Sequence, residues 1–383
     1  MRIELIKKIK ESIYRILPII KKEFLQFTRD RRSLAVFLFV PSFMLVLFGY
    51  ALNLDVKNAP FVVYDKDNSI FSRELVSSFS HYEHFKFLGY VTSYSELEKK
   101  IETGEAKFGV VIPEKFESNF FSSKETKVQI FVDGTQSMIA SNIIGYLNAY
   151  INNFSIAANL KNVNVSFPQV VMMPRIWYNP ELRTANFFIP GLIGFIMMIM
   201  AVVATSLTIV REKERNTIEQ IIVSPVKIYE LVAAKLVAPL LIAFIAAMLI
   251  LITGYVLFNV QVKGSFLLLL IATIIFLLTS LSFGVFISVL ADSQQVAFLA
   301  SLLSTVIPTL VFSNFVFPLR SMPEILQYIS YVIPAKYYLV ILRGIILKGV
   351  GISFLWEQFA YLIFFLVMMF LISSVILKIK GLK

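Results

Sequence analysis

The sequence has no cysteine and carries little charge for its length. None of its 383 residues is Cys, and only 16% are Asp, Glu, Lys or Arg. The missing thiols exclude disulfide bonds and thiol chemistry, although they decide nothing about the cellular compartment. Soluble domains carry roughly 25% charged residues. The low charge, together with 57% hydrophobic residues, therefore predicts a membrane protein.

Recognisable catalytic and nucleotide-binding patterns are also missing. The chain has no G-x-x-x-x-G-K-[ST] phosphate loop, so we do not expect it to hydrolyse ATP by itself. It also lacks the H-E-x-x-H and G-x-S-x-G motifs of zinc proteases and serine hydrolases. We therefore expect no catalytic residue, no bound metal and no cofactor in this chain.

Apolar residues concentrate in six segments that contain no ionisable side chain. Each is long enough for a membrane-spanning helix, which needs about 20 residues. The segments are 34–54, 187–210, 236–256, 266–290, 296–317 and 359–377. Their lack of charge argues against a proton- or sodium-coupled carrier. The first segment starts too late for a signal peptide and lacks a small-residue cleavage site.

Basic residues predict the orientation of these spans. Residues 1–33 hold ten Lys and Arg against four acids, and such an excess marks the cytoplasmic side. Six spans return the C-terminal sequence KIKGLK to that same side. We therefore expect a multi-pass protein of the cytoplasmic (inner) membrane with both termini in the cytoplasm. These flanking residues account for the net charge of +11, so no nucleic-acid partner is expected.

A further apolar segment, 324–349, complicates the count of spans. It contains Pro334, Lys336, Arg343 and Lys348, and as a full span it would move the C-terminus outside. Broken and charged segments at membrane depth are tolerated where protein or water covers them. We predict that residues 318–349 form a re-entrant or interfacial segment on the outer face.

Residues 55–186 are polar enough to form an α/β domain inserted between the first and second spans, on the extracytoplasmic side. The sequences FVVYD, KFGVVIP and KVQIFVD predict short strands at 61–65, 107–113 and 127–133. Ser95 and Glu98 have the spacing of a helix-capping box, and a long helix is predicted from Ser137 to about residue 160. His81 and His84 are three positions apart, but a zinc site needs at least three protein ligands, so surface histidines are the favoured interpretation.

Hydroxyl groups are the main polar side chains inside the predicted spans. Two interpretations stay open for Thr205, Ser206, Ser301, Ser304 and Thr305. In lipid, such hydroxyls most often bond to their own helix or to a neighbouring one, and this is the favoured interpretation. The alternative is that they line a path for a mildly polar or amphiphilic substrate.

The stretch REKERNTIEQIIVSP, residues 211–225, follows the second span and is unusually charged. As a helix it would pair Arg211 with Glu214, Glu212 with Arg215, and Arg215 with Glu219. Three isoleucines would form its apolar side. The spacing alone favours a solvated connector over a docking site for a cytoplasmic motor.

Several segments resemble the permease subunit of ABC-2 type ATP-binding-cassette exporters, in the branch with a large extracytoplasmic domain. KKEFLQFTRDRRSL is similar to the interfacial helix of that family, and REKERNTIEQIIVSPVKIYELVAAKL to its loop with the coupling helix. VFPLRSMPEILQYISYVIPAKYYLVILRGIILKGVG resembles its outer re-entrant region. VVYDKDNSIFSRELVSSF and VQIFVDGTQSMIASNIIGYL resemble segments of its large domain, so the resemblance covers nearly the whole chain.

The resemblance implies one half of a transporter. Two copies, or this chain and a paralogue, would form the pathway above two separate ATP-binding subunits that hold ATP and Mg²⁺. The residues implied to couple to those subunits are Arg211, Glu212, Lys213, Glu214, Arg215, Thr217, Glu219 and Gln220. A second internal loop with Asp292, Gln294 and Gln295 is implied as a further contact, with a plain polar turn as the alternative. Residues 1–33 would lie as an amphipathic helix on anionic lipids of the inner leaflet.

The same resemblance implies export of drugs or other lipophilic or amphiphilic compounds. In a Gram-negative cell a periplasmic adaptor and an outer-membrane channel would complete the path. A different class of function stays open, in which the chain is a membrane-anchored extracytoplasmic sensor or assembly platform without pump activity. Six spans are more than an anchor needs, which favours transport.

Overall fold

The computed structural model describes residues 2–51, 58–80, 84–122, 126–134, 137–161, 183–215, 226–319 and 322–381. The chain divides into two compact units. The membrane unit comprises Met1–Asn53 and Ala185–Lys383, and the inserted unit comprises Leu54–Thr184.

Two helices, α1 (Arg2–Arg29) and α2 (Arg31–Ala51), begin the membrane unit. Helix α1 has two contrasting sides. Tyr14 and Leu17 are exposed, whereas Glu23 is buried against neighbouring helices. A helix with a charged side and an exposed aromatic and aliphatic side is typical of the membrane surface.

The inserted unit is built on a mixed sheet with the strand order β2-β1-β3-β4. Its elements are β1 (Ala59–Asp65), α3 (Ile70–Ser80), β2 (Phe85–Tyr90), α4 (Tyr94–Glu102), β3 (Phe108–Ile112), α5 (Phe116–Phe121), β4 (Gln129–Val132) and α6 (Ser137–Lys161). Strand β1 pairs in parallel with β2 and β3, while β4 runs antiparallel to β3. The unit is therefore an α/β domain, as predicted.

Both faces of the central strands are covered, which explains their continuous apolar sequences. On one face Phe61 stacks on Phe108 with ring centroids 5.0 Å apart, within the larger core that α3, α5 and α6 complete. On the other face Leu97 of α4 packs against Val62 and Val111.

Three of the four strands were predicted from their sequences, and β2 was not. Its sequence FKFLGY is interrupted by Lys86 and Gly89, and its alternate residues are exposed at the edge of the sheet. The capping box of α4 was assigned to the wrong residues. Ser93, not Ser95, accepts a hydrogen bond from the Glu96 amide at 3.2 Å.

The motif S-x-x-E occurs twice in SYSELE, and the helix begins at the first occurrence. The Glu96 carboxylate reaches back to the Thr92 amide at 2.8 Å and to its hydroxyl. These hydrogen bonds lower the pKa of the Glu96 carboxyl. The Glu96 amide in the first turn and the Thr92 amide just before the N-cap are thereby satisfied.

The membrane unit continues with α7 (Thr184–Glu214), α8 (Ile228–Phe258), α9 (Phe266–Leu290), α10 (Gln294–Phe312), α11 (Glu324–Ser330), α12 (Pro334–Arg343) and α13 (Ile352–Gly381). Within the described ranges, six helices are long and apolar enough to cross a membrane, namely α2, α7, α8, α9, α10 and α13. These are the six predicted spans. Helix α7 is central, because 83% of its most apolar stretch is buried, against 17% for α2 and 22% for α10.

The apolar segment before α13 is bent rather than straight. Helix α12 continues as a π-helical turn, Gly344–Lys348, and lies at 83° to α11. Arg343 donates to the Asn314 carbonyl at 2.8 Å, and the Gly264 amide donates to the Ile345 carbonyl at 2.9 Å. Before these anchors, Tyr338 stacks on Phe276 of α9, with ring centroids 3.9 Å apart. The bend fits either a broken span or a re-entrant segment, so the re-entrant course on the outer face stays a prediction.

Candidate functional site

The charged stretch begins as an unbroken continuation of α7. The helix runs through the membrane span to Glu214, and Arg215 follows in a turn. The predicted contact residues Thr217, Glu219 and Gln220, with the rest of 216–225, lie outside the described residues. The structure therefore defines the first part of the predicted coupling segment, 211–215, and its surroundings.

Glu212 is buried in a group of charges contributed by three helices. The Lys235 ammonium of α8 lies 3.2 Å from the Glu212 carboxylate and 2.7 Å from that of Glu23 on α1. Lys22 of α1 contacts Glu212 at 2.6 Å from the half-exposed side. Glu23, Glu212 and Lys235 retain only 3%, 7% and 2% of their accessible surface. We call these three residues the buried triad.

Charges buried to this extent persist only when each has close partners of opposite sign. In the buried triad one ammonium lies between two carboxylates, and Lys22 supplies the second positive charge. A cavity of about 110 Å³ borders the triad and is lined by Glu23, Arg211 and Glu212 among others. A polar cavity of this size has room for water molecules that solvate the remaining carboxylate lone pairs.

A second ionic cluster joins α1 to the start of α8. The Arg15 guanidinium binds both oxygens of Glu230, at 2.9 and 3.2 Å, and Ser12 donates to the same carboxylate. The backbone amide of Lys227 donates to Glu230 at 2.9 Å, which caps the first turn of α8. Fork-shaped contacts of this kind fix orientation as well as distance. Helix α1 is therefore held to α8 at two levels, about two helical turns apart.

The end of α7 also contacts the loop that follows α9. The Glu214 carboxylate accepts a hydrogen bond from the Gln294 backbone amide at 2.8 Å and another from its side-chain amide. Lys213 donates to the carbonyls of Val289 and Ala291 at 2.8 and 3.0 Å. The structure thus brings the first predicted contact segment beside the second.

The other two residues of the second predicted contact, Asp292 and Gln295, are exposed. The exposed side of the loop thus presents a carboxylate and an amide next to the end of α7. Their contact with another protein stays a prediction.

The strongest contacts in the described part of the stretch reach other elements rather than the neighbours predicted from helical spacing. Glu214 binds Gln294, with Arg211 as a weaker electrostatic neighbour, and Glu212 is held by Lys235 and Lys22. Burial decides this outcome, because a buried carboxylate gains far more from a buried ammonium than from a solvated neighbour on its own helix. The third pair includes Glu219, which lies outside the described residues.

Helices α7 and α9 approach closely just above this end of the bundle. A Cβ atom on Gly284 would lie 2.1 Å from the Thr205 hydroxyl oxygen and 2.4 Å from the Val202 carbonyl oxygen. The Thr205 hydroxyl donates to the Leu281 carbonyl of α9 at 2.8 Å. Because nothing larger than glycine fits there, α7 and α9 are closely packed at this level.

The predicted pathway hydroxyls are turned toward backbone carbonyls. Thr205, Ser206, Ser301 and Thr305 are fully buried, and Ser304 is half-buried. Besides the bond between Thr205 and Leu281, the hydrogen bonds of these hydroxyls within the described residues run to carbonyls of their own helices. The geometry matches the favoured interpretation of helix-bonded hydroxyls, and a role in a substrate path stays a prediction.

The predicted histidine pair gives no metal site within the described ranges. His81 lies outside them, and the His84 Nδ1 is 3.0 Å from the Tyr150 hydroxyl. Among described residues, no group of three or more His, Cys, Asp or Glu side chains is arranged to hold a metal ion.

Sequence reasoning missed Glu23, Lys235, Arg15 and Glu230. Arg15 and Glu23 belong to the charged sequence ahead of the first span, and Glu230 and Lys235 stand just ahead of the third, where charged residues ordinarily face water or lipid headgroups. Lys235 directly precedes the apolar segment 236–256, so it resembled a flanking charge. An ionisable residue followed immediately by a long apolar helix was the available signal.

The chain is similar to known proteins over most of its length. A family model described as ABC-2 family transporter protein matches residues 31–375. The chain is 28% identical over 345 residues to the Probable multidrug ABC transporter permease YbhR of Escherichia coli strain K12, a match that covers 90% of this chain and 93% of that protein.

Two other permeases of the same strain are similar at comparable levels. The Probable multidrug ABC transporter permease YbhS is 27% identical over 339 residues, covering 88% of this chain and 89% of that protein. The Inner membrane transport permease YhhJ is 27% identical over 306 residues, covering 79% and 80%. The family match includes residues of both units and the whole described end of α7.

Proposed function

The chain belongs to the ABC-2 family of transporter proteins, and we propose that it is the membrane-pathway subunit of an ATP-driven exporter. Its relatives are named as permeases, and this sequence has no phosphate loop. Energy then comes from separate ATP-binding subunits, which carry ATP and Mg²⁺. The subunit binds them in the cytoplasm through the end of α7 and does not hydrolyse ATP itself.

One observation supports this function above the others. The described start of the charged stretch is bound to three other parts of the membrane unit, namely α1 and α8 through the buried triad and the loop after α9 through Glu214. A solvated connector needs none of these contacts. A segment that receives force from a motor needs such contacts, because displacement of its end then moves several helices together.

The remaining features of the proposed transporter follow from this role. Two copies, or this chain and a paralogue, enclose the path, with α1 on the cytoplasmic leaflet and both termini in the cytoplasm. The inserted unit lies on the extracytoplasmic side, where a periplasmic adaptor and an outer-membrane channel extend the path in a Gram-negative cell. Relatives carry the word multidrug in their names, and a membrane unit lined by apolar and hydroxyl groups suits lipophilic or amphiphilic substrates.

A pull-down of the full chain from its native cells in mild detergent tests the proposal. We expect an ATPase to co-purify in stoichiometric amount. Arg215→Glu is the informative variant, because Arg215 is exposed and its reversal leaves the buried triad intact. Lys86→Glu, an equally exposed reversal in the inserted unit, is the matched control.

Loss of the ATPase from Arg215→Glu, with retention by Lys86→Glu, is the expected result. If no ATPase accompanies the intact wild-type chain, the exporter assignment fails. That outcome favours a membrane-anchored sensor or assembly platform instead.

A further inference from the structure

An apolar groove opens between α8 and α9 at the end of the bundle where α8 ends and α9 begins. Its volume is about 720 Å³. The floor consists of the buried residues Ile193, Leu269 and Ile346, and Leu251 and Phe266 belong to opposite walls. The groove therefore combines residues of α7, α8, α9 and the π-helical turn within the membrane unit.

The connection between α8 and α9 keeps this groove open. Asn259 ends α8 with a left-handed backbone, φ 53°. The residues that follow pack against the π-helical turn, where a Cβ atom on Gly264 would be 2.9 Å from the Ile345 carbonyl oxygen. Because the connection is held against the π-helical turn, it borders the space between the two helices without filling it.

The depth of the groove lies within one leaflet of a bilayer. Its wall on α8 runs from Met248 to Tyr255. This stretch of α-helix rises about 10 Å, and half of a hydrocarbon core of about 30 Å is about 15 Å. Gln261 marks the polar end of the groove, where the apolar walls stop.

Two lysines lie beside that polar end. Lys263 and Lys348 are both exposed, and the Lys263 backbone amide donates to the Ile346 carbonyl at 3.1 Å, directly at the floor of the groove. Basic side chains at a membrane surface attract anionic lipid headgroups. Apolar walls within the depth of one leaflet, next to a basic rim, correspond to the two parts of a phospholipid.

We propose that this groove binds one acyl chain of an anionic phospholipid, with the headgroup phosphate at the Lys263 and Lys348 rim. The volume lies in the range of about 300–1,000 Å³ that specific ligand pockets occupy. Water is a poor occupant, since apolar cavities stay dry. Leu267, next to the groove, is 67% exposed, so the surrounding surface is of the kind that faces acyl chains.

Photolabelling of the full chain tests this site without relying on transport or ATP. The chain is reconstituted into phosphatidylglycerol vesicles that contain a trace of phosphatidylglycerol with a diazirine on one acyl chain, and labelled peptides are identified by mass spectrometry. We expect label concentrated on 248–255 and 266–269. In Leu251→Trp, which fills the groove, we expect that label to fall about tenfold, equivalent to a loss of 1.4 kcal/mol in binding.

Two further variants separate a site from general lipid contact. Leu267→Trp adds the same side chain on the exposed surface next to the groove, and it should keep the wild-type labelling. Leu251→Ala enlarges the groove and should also keep it, which guards against a folding defect in the tryptophan variant. Equal labelling of wild type and Leu251→Trp would overturn the proposal in favour of bulk lipid contact.

A second copy of the chain is the competing occupant, and the absence of native cysteine allows a direct check. The variant Ile252→Cys places a single thiol in the wall of the groove. We expect it to react with a membrane-soluble maleimide and to form no disulfide link between copies under oxidation. Near-complete disulfide linkage between copies would show that protein, not lipid, covers the groove.

Discussion

The ammonium of Lys235 lies 2.7 Å from the carboxylate of Glu23, although 212 positions separate the two residues in the chain. Both are almost completely buried, and Glu212 contacts the same ammonium at 3.2 Å. Helix α1, which precedes the first span, and the end of α7, the second span, therefore both contact α8. The three charges stabilise one another only in this arrangement, so the buried triad resists displacement of α7 relative to α1.

Removal of the shared cation should strongly destabilise the membrane unit. In Lys235→Met two buried carboxylates lose their common partner, and breaking a buried ion pair in this way costs about 3–5 kcal/mol. We expect a markedly lower unfolding temperature of the detergent-solubilised chain. Lys378→Met, which removes an exposed lysine near the end of α13, is the control and should leave the unfolding temperature unchanged.

Replacement of the whole buried triad should separate stability from transport. In Glu23→Leu, Glu212→Leu, Lys235→Met no charge of the triad is left buried, and such apolar replacements are often neutral or stabilising by about 1–4 kcal/mol. Lys22 is half-exposed and stays solvated. We expect the unfolding temperature to return to about the wild-type value. ATP-dependent transport in vesicles should nevertheless be lost. Recovery of both properties would mean that the buried triad has only a structural role.

Gly284 should tolerate no side chain, because its neighbours include backbone. Gly284→Ala places a methyl group 2.4 Å from the Val202 carbonyl oxygen, so α7 and α9 must move apart. Overpacking of this kind costs about 1–3 kcal/mol. Thermal unfolding measures the loss, and Gly351→Ala, whose added carbon meets no atom within 4 Å, is the matched control. Equal unfolding temperatures for the two variants would contradict the close approach.

The two serines ahead of α4 should differ sharply in their effect on that helix. Ser93→Ala removes the side chain that caps the helix, and loss of an N-cap costs about 1 kcal/mol. Hydrogen–deuterium exchange of the full chain should therefore speed up over 94–102 in Ser93→Ala and stay near wild type in Ser95→Ala. The reverse pattern would restore the capping box first expected from Ser95 and Glu98.

The sequence predicts the spans well because their signal is local. A segment without charge over about 20 residues has few alternatives to a membrane helix, and strands β1 and β3 are likewise continuous apolar runs. Strand β2 escapes prediction because it lies at the edge of the sheet, where Lys86 is exposed and apolar residues are interrupted. The start of α4 was misplaced because two serines share one motif.

The candidate site is predictable only in part, for a different physical reason. Its location follows from the charged residues 211–215, which stand out at the end of an apolar helix. The partners of these residues cannot be predicted in the same way, because Glu23 and Lys235 come from distant segments. Each of the two resembles an ordinary charge that flanks a span. Ion pairing on a solvated helix follows spacing, whereas pairing of Glu212 follows burial.

Glu214 offers the cleanest test of the link between α7 and the loop after α9, since it is exposed and its loss leaves no buried charge unpaired. Charge reversal at Glu212 is less informative, because it would bring a second buried ammonium beside Lys235.

Glu214→Gln removes the negative charge that holds both amides of Gln294. We expect normal amounts of protein in the membrane, but substrate-stimulated ATPase activity reduced relative to wild type when the chain is reconstituted with its ATP-binding subunits. Glu324→Gln, the same change at an exposed position on α11, should keep full stimulation. Unaltered stimulation in Glu214→Gln would remove the Glu214 contact from the coupling path and leave the buried triad and the Lys213 contacts as connections from the end of α7 to the rest of the membrane unit.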